Sequence, residues 1–228
     1  MGILRSWYRI DTKFFHFQIF DNFVLSRYYR SMLKNPVVLL DLISRLANLM
    51  RSEFRRVGSD EGLQPVHVQA LLFLEQANRF SNTPQALAEY LGLTKGTVSQ
   101  SLLLLDRRGL IERYQDEIDR RVVRLRLSTL GEAFLNESNP SGLWHTATRD
   151  ISANRVRYSV SVLRAALYEL QGFTGGPVFG VCNTCVYCQR KSQRIHHCTW
   201  FGERLSGPET RKICRDQVPK TGSLSAAD

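Results

Sequence analysis

Two short helical patterns separated by a three-residue turn are the most constraining feature of this sequence. Thr83 followed by Pro84 predicts the start of one short helix, because threonine caps helix N-termini and proline suits the first helical position. Gly92 permits a tight turn, and Thr94 can cap a second helix over residues 95–108. Two helices joined by such a turn predict a helix-turn-helix.

The second helix of this pair is expected to have two different faces. On a helical wheel, one set of residues falls on a single face and should pack inward: Val98, Ser101, Leu102 and Leu105. Small and polar residues fall on the other side, where they could reach base edges: Gly96, Thr97, Gln100 and Arg107. Taken alone, this pattern also fits an ordinary surface helix, because Leu103 and Leu104 blur the two faces.

A basic hairpin pattern follows directly. The residues in Leu110–Arg113 alternate before a turn-rich stretch at 115–119, and in Arg120–Ser128 three apolar residues alternate with arginines. Period-two alternation on both sides of a polar turn predicts a β-hairpin. An arginine-rich hairpin after a helix-turn-helix can reach phosphates or the minor groove. We therefore predict a winged helix-turn-helix, a mainly α fold with a small β wing (α+β).

Further helical patterns flank this centre. The stretch from Val37 to about Val57 carries apolar residues at spacings of three and four, and Pro65 starts another helix. Asn139–Gly142 interrupts a C-terminal helical region, which resumes from Arg155 to Leu170. These segments are expected to form a helical region around the winged helix.

Composition narrows the class of protein. The 43% hydrophobic and 23% charged residues are typical of a globular chain, and a formal charge of +10 favours a polyanionic partner. The first 35 residues are aromatic and basic, and charges interrupt each apolar run before it could span a membrane. We therefore expect a cytoplasmic protein with no export signal and no membrane partner.

The order of these motifs resembles the MarR family of winged-helix regulators. The residues that carry the resemblance are Leu87–Ser99, Leu105–Arg113, the wing signature Asp116–Arg121, and Leu127–Gly131. The resemblance covers roughly Pro36–Gly172. It implies a homodimer that binds a pseudo-palindromic operator in double-stranded DNA, usually as a repressor, and releases it when a small-molecule ligand or an oxidant arrives.

The same resemblance implies roles for individual residues. Arg121 resembles the wing-tip arginine that enters the minor groove, Asp119 resembles the acid that orients it, and Arg120 is expected to join them at the DNA. The residues expected to line the recognition helix are Lys95, Thr97, Ser99 and Gln100. The first helix and the last two are expected to build the dimer interface.

All five cysteines lie in one segment near the C-terminus. Cys182 and Cys185 have the Cys-x2-Cys spacing of a chelating pair, and Cys198 and Cys214 follow after loops long enough to fold back. These four thiolates predict one metal site that binds zinc or, alternatively, an iron–sulfur cluster. A disulfide framework is the competing interpretation, which we disfavour because a protein without an export signal keeps its thiols reduced.

Cys188 is the fifth thiol, and its own Cys-x2-Cys spacing to Cys185 lets it compete for the metal. The segment from Phe179 to Cys214 resembles the C-terminal extension of a MarR subgroup in which four cysteines recur. In that pattern the place of Cys188 is apolar or aromatic, so we treat Cys188 as a spare thiol. The histidines at 196 and 197 are interpreted as bystanders.

We therefore expect a sequence-specific regulator whose metal site is structural or sensory. The alternatives are a redox or metal-sensing protein in which an iron–sulfur cluster controls DNA binding, or a non-enzymatic adaptor. An enzyme is disfavoured, because the sequence has no Gly-rich phosphate loop, nucleophile elbow or convincing acid/base pair. The expected domains are an aromatic and basic extension (1–35), a winged-helix and dimerisation domain (36–172), a cysteine-rich metal-binding module (173–218) and a disordered tail (219–228).

Overall fold

The computed structural model describes residues 36–192 and 194–220. The predictions for the N-terminal extension at 1–35 and for residues 221–228 of the tail lie outside these ranges. The chain divides into two compact units, residues 1–49 and 50–228. The described part of the first unit is helical throughout.

Helices dominate residues 36–174, and short strands dominate the rest of the described residues. The helices are α1 (Pro36–Gly58), α2 (Pro65–Gln76), α3 (Pro84–Leu91), α4 (Lys95–Arg107), α5 (Thr129–Ser138), α6 (Gly142–Thr148) and α7 (Ala153–Thr174). The strands are β1 (Ile111–Gln115), β2 (Val123–Leu127), β3 (Gly180–Val181), β4 (Cys188–Arg190), β5 (Ile195–Cys198), β6 (Glu203–Ser206) and β7 (Ile213–Cys214). This order confirms the predicted winged helix-turn-helix.

Apolar side chains from α2, α3, α4 and the wing form the main core of the second unit. Val68, Leu71 and Leu105 have no exposed surface, and Leu87 and Leu102 are each only 1% exposed. Burying a side chain of this size contributes roughly 1.5–3 kcal/mol. The helix pair is therefore held on a packed base.

The wing is the antiparallel pair β1–β2, as the alternation predicted. Ile111 lies opposite Leu127 at the base, and Gln115 lies opposite Val123 near the tip. Leu125 points into the core and is 1% exposed. The hairpin is thereby fixed at its base, with its turn extending away from the core.

The cysteine-bearing segment forms two small sheets that the sequence did not predict. One pairs β3 with β7, and the other has the order β4–β5–β6, with antiparallel pairing throughout. Single 3-10 turns lie at Cys182–Thr184 and Glu209–Arg211. Pro219 bridges to Cys185, and the backbone N–H of Lys220 donates to the Thr184 carbonyl, so the chain stays paired to this module up to residue 220.

Two of the helices expose unusually apolar surfaces. The part of α1 within the first unit exposes Val37, Leu39, Leu40, Leu42, Ile43, Leu46 and Leu49. In the second unit α7 buries none of its residues and exposes Val156, Tyr158, Val160, Leu163, Leu167, Leu170 and Phe173. None of the helices in residues 36–192 and 194–220 is long and apolar enough to cross a bilayer.

Candidate nucleic-acid interface and cysteine cluster

The turn between α3 and α4 is built by two local devices. Gly92 ends α3 with a φ of 64°, a left-handed conformation that glycine adopts without a steric penalty. The side chain of Thr94 then accepts a hydrogen bond from the backbone N–H of Thr97, which caps α4 at 3.2 Å. The N-terminus of α4 is therefore fixed relative to α3.

The recognition helix α4 has the two faces that the sequence predicted. Its inward residues are all buried: Val98, Ser101, Leu102 and Leu105. The structure places the four predicted recognition residues on the exposed side of the helix: Lys95, Thr97, Ser99 and Gln100. The Thr97 hydroxyl is already within 2.9 Å of the Thr94 hydroxyl, so it has less hydrogen-bonding capacity to spare than its neighbours.

The wing turn is organised around Asp116. Its carboxylate accepts hydrogen bonds from the backbone N–H groups of Ile118 and Asp119, each at 2.9 Å, and from Nε of Arg124 at 2.7 Å. These bonds, led by the one from the Asp119 backbone, lower the pKa of Asp116 to about 2. Asp116 therefore stays ionised and keeps the turn in one shape.

Asp119 and Arg121 form a two-pronged ion pair at the wing tip. Nε and Nη2 of Arg121 donate to the two carboxylate oxygens at 2.9 and 3.0 Å, although the arginine side chain is 90% exposed. These bonds lower the pKa of Asp119 and raise that of Arg121. Arg120 is exposed beside them. The structure thus brings the three predicted wing residues together on one exposed turn.

Arg124 is a site residue that the sequence analysis missed. The alternation of the hairpin predicted an outward arginine like Arg126, yet the Arg124 side chain is only 15% exposed. Besides its bond to Asp116, its Nη1 donates to the carbonyl of Phe80 at 2.8 Å. Arg124 therefore supports the wing from within, and period-two alternation carries no signal for such a contact.

The five cysteines form one buried cluster, in which none exceeds 8% exposure and all five thiols are free: Cys182, Cys185, Cys188, Cys198 and Cys214. The interaction between the Cys182 and Cys214 thiols raises the pKa of Cys182 and lowers that of Cys214. An amide N–H of the Asn78 side chain also donates to the sulfur of Cys182 at 3.5 Å. The structure thus gathers the four predicted ligands and Cys188 in one place.

Cys188 and Cys198 are direct neighbours across β4 and β5. The backbone N–H of Thr199 donates to the Tyr187 carbonyl at 2.9 Å, so the adjacent Cys188–Cys198 pair lies at a non-hydrogen-bonded position of the ladder. Side chains come closest at such positions. The position of Cys188 beside Cys198 therefore does not explain why Cys198 would bind the metal and Cys188 would not.

Sulfur donors of this kind are typical of thiolate metal sites, but the cysteine side chains are not arranged in a coordination geometry. Clustered buried thiols are typical of zinc and iron–sulfur sites. His196 Nδ1 is a buried side-chain atom without a hydrogen-bond partner in the described residues, and it lies two residues before Cys198 on β5. Within that part of the chain, no group of three or more His, Cys, Asp or Glu side chains is arranged so that it could hold a metal ion.

The cysteine module is attached to the helix-turn-helix through Arg215 and Glu89. Arg215 lies directly after Cys214 and binds the carboxylate of Glu89 on α3 with two nitrogens, Nη2 at 2.9 Å and also Nε. This pair lowers the pKa of Glu89 and raises that of Arg215. Stacked rings of Phe80 and Phe201, 4.1 Å apart, add an apolar contact.

Comparison with known proteins extends these observations. Residues 61–122 match the sequence model of the MarR family. The transcriptional repressor MprA of Escherichia coli strain K12 is 30% identical over 103 residues, which cover 43% of this chain and 58% of MprA. The chain thus spans less than two thirds of the length of this curated relative.

Two solved structures were compared with this chain, and the first of them has a similar fold. A MarR family transcription regulator superimposes with a TM-score of 0.51 at 18% identity, over 66% of this chain and 98% of its own. The complex of S. aureus MepR with DNA superimposes with a TM-score of 0.47 at 22% identity, over 56% of this chain and 95% of MepR. Residues 61–122 are thus similar in sequence to the MarR family, and the chain shares the winged-helix fold of a solved regulator of that family.

Proposed function

We propose that this protein is a sequence-specific transcriptional regulator that binds double-stranded DNA, and that it acts as a repressor. The observation that carries the proposal is the joint exposure of the recognition residues of α4 and of the tethered Arg121 on the wing. Helices of this kind read base edges in the major groove, and wing arginines suit the narrower minor groove. The match to a MarR family model and to a repressor supports the same function.

The proposed roles follow from the chemistry of each side chain. Gln100 and Ser99 carry groups that donate and accept hydrogen bonds at base edges, whereas Lys95 at the first turn of α4 suits a phosphate. Arg120 and Arg121 extend the basic surface at the wing. Phosphate contacts set position and overall affinity, and base contacts set sequence preference.

We also propose that the protein binds its operator as a homodimer. The apolar residues exposed on α1 and, separately, on α7 form surfaces larger than scattered apolar residues usually make on a monomer. A second copy of the chain is the partner expected to cover them, because a two-fold dimer matches the symmetry of a pseudo-palindromic operator. Sedimentation should give twice the chain mass at micromolar concentration, and a monomer that retains full operator affinity would contradict the proposal.

A gel-shift assay on genomic fragments tests DNA binding directly. At physiological salt with excess competitor DNA, we expect a small set of fragments to stay bound, because specific complexes are typically about 10³- to 10⁷-fold tighter than non-specific ones. Gln100→Ala should weaken this selection, while Gln189→Ala, at an exposed position on β4 outside both proposed surfaces, should keep it. Equal retention of all fragments would show that the protein binds DNA through its positive charge without sequence preference, which would contradict the proposal.

The cysteine cluster is proposed to bind one metal centre per chain through Cys182, Cys185, Cys198 and Cys214. Zinc would hold the small module folded, since coordination supplies folding free energy where little apolar core exists. An iron–sulfur cluster is the second candidate, in which the module would sense oxidants or iron and control DNA binding. Support for either comes from the burial of all four thiols in one cluster.

Metal analysis of protein purified without oxygen separates these candidates. Zinc content with no visible absorption supports the structural site, and iron with a brown colour supports the sensor. Cys214→Ser should lose the metal, and the matched variant Cys188→Ser should keep it. Retention of the metal in Cys214→Ser and its loss in Cys188→Ser would contradict the proposed ligand set. Absence of both zinc and iron from the wild-type protein would contradict the metal site itself.

A further inference from the structure

The loop of residues 77–83, which we name the bridging loop, lies between the cysteine module and the wing. It joins α2 to α3 and therefore directly precedes the helix-turn-helix. Three of its polar residues are buried: Asn78, Ser81 and Asn82, at 1%, 0% and 8% exposure. Buried polar side chains need hydrogen-bond partners; Asn78 and Ser81 find them in the cysteine module, and Asn82 finds them in the wing.

On the module side, Asn78 and Ser81 reach the residues around the cysteines. Asn78 donates from its backbone to the carbonyl of Ile213 at 2.8 Å and from its side chain to the sulfur of Cys182. The hydroxyl of Ser81 accepts the backbone N–H of Arg215 at 2.8 Å. The loop therefore contacts the chain on either side of Cys214 as well as Cys182 itself.

The side chain of Asn78 also fixes the shape of the loop. Its carbonyl oxygen accepts the backbone N–H groups of Phe80 and Ser81 at 3.1 and 2.9 Å. A single amide thus touches the cysteine cluster with its nitrogen and holds the loop with its oxygen. A shift of the Cys182 sulfur would therefore displace the Asn78 side-chain amide, and with it the backbone of Phe80, whose carbonyl faces the wing.

On the wing side, the loop is bound to β2 at two consecutive residues. The backbone N–H of Leu125 donates to the Asn82 carbonyl, and Nδ2 of Asn82 donates back to the Leu125 carbonyl, both at 2.8 Å. Arg124 donates to the Phe80 carbonyl and to Asp116, the residue that organises the wing turn. An unbroken series of hydrogen bonds therefore runs from the Cys182 sulfur to the turn that holds Arg121.

We propose that Asn78 and Arg124 are positioning residues that link the state of the cysteine cluster to the wing arginine. The inference rests on the proposed DNA-binding function, and it adds a route by which binding or loss of a metal would reach the DNA. A ligand that pulls the four thiols together changes their arrangement, and Cys182 is the thiol that the bridging loop contacts through Asn78. The wing then follows, because the loop, Arg124 and Asp116 are hydrogen-bonded in series.

The first test measures hydrogen exchange at the backbone amides of Ile118 and Asp119, which Asp116 holds in the wing turn. Asn78→Ala should speed their exchange on the order of tenfold, the effect expected when one buried hydrogen bond is lost. Arg79→Gln is the matched control, since Arg79 also contacts the module from the bridging loop but is exposed and lies outside the series. Equal exchange in wild type and Asn78→Ala would overturn the proposal.

The second test compares zinc-loaded protein with protein treated with a chelator. Chelation should weaken operator binding about 5- to 150-fold in the wild type, the usual range for coupled sites. In Asn78→Ala and in Arg124→Gln the chelator should have little further effect, because the link is already broken. A chelator effect of the same size in both variants as in the wild type would contradict the link.

Two outcomes keep this inference separate from the proposed function. If the wild type selects no DNA, yet Asn78→Ala speeds exchange at the wing, the link stands and the DNA-binding function fails. If the wild type selects DNA, but neither variant alters the wing amides, the link fails and the function stands. Should Asn78→Ala not fold, the chelator comparison in Arg124→Gln decides the matter, because Arg124 contacts Asp116 directly and the exchange rates alone would not separate the link from this local contact.

Discussion

Replacing Arg121 with alanine should remove the minor-groove contact that we propose for the wing. The guanidinium has five N–H donors, and Asp119 takes two of them through Nε and Nη2. Three donors remain, enough for two acceptor atoms on neighbouring base edges. Because Asp119 fixes the plane of the group, few alternative orientations are lost when DNA binds.

The size of the effect follows from this geometry. A well-placed pair of base-edge hydrogen bonds is worth about 1–3 kcal/mol, so Arg121→Ala should raise the operator Kd about 5- to 150-fold. Asp119→Ala should cost less, because it frees the guanidinium without removing it. The 90% exposure of the side chain predicts only a small change in the free energy of unfolding.

A footprinting titration on the selected operator measures these differences, with Arg126→Ala as the control. Arg126 is exposed on the same hairpin and pairs with Glu112, so it should lose at most one phosphate contact. Lys95→Ala should instead weaken specific and non-specific binding alike and make the salt dependence shallower. Unchanged operator affinity in Arg121→Ala would refute the assigned role of the wing.

Three further predictions concern the scaffold. Leu102→Ala, at a site 1% exposed, should lower the free energy of unfolding in urea by about 2–5 kcal/mol. Arg215→Ala leaves the partly buried Glu89 without its ion pair and should cost roughly 1–3 kcal/mol, visible as a lower Tm. The pKa of Asp116 is lowered from 3.8 to about 2 in the folded wing. Its stabilisation of the wing is therefore complete above about pH 4 and is lost as the pH falls toward 2. NMR of the backbone amides in the turn would follow this loss.

The winged helix could be predicted from the sequence because its signals are local. Caps at Thr83 and Thr94, the left-handed Gly92 and the alternation of β2 each act within a few residues. The inward face of α4 followed from helical periodicity alone. The exposed positions of Thr97 and Gln100 followed from the same wheel, whereas Lys95 and Ser99 came from the family resemblance. The contacts of all four residues with DNA stay predictions.

The sequence predicted where the cysteine module lies, but it did not predict the strands of the module or their pairing. Its strands are two to four residues long, too short for alternation to be recognised, and their pairing joins β3 to β7 across more than thirty intervening residues. Spacing placed Cys188 beside Cys185, but its pairing with Cys198 comes from the register of β4 with β5, which spacing does not reveal. The choice of four ligands among five thiols therefore stays a prediction.

The supporting residues were missed for a related reason. Asn78 lies in a loop whose sequence has no motif, and its role depends on contacts more than one hundred residues away, at Cys182 and Ile213. Arg124 looks like any outward residue of a basic hairpin. Only the tertiary structure places the Phe80 carbonyl within its reach.

Selection of bound sites from a random DNA library tests the central claim most directly. The purified protein, at physiological salt and with competitor DNA, should enrich one pseudo-palindrome whose half-sites lie about one helical turn apart, as expected for paired recognition helices. Gln100→Ala should relax the selection within each half-site. Recovery of sequences with no shared motif, despite tight binding, would contradict the proposal that this protein reads DNA sequence.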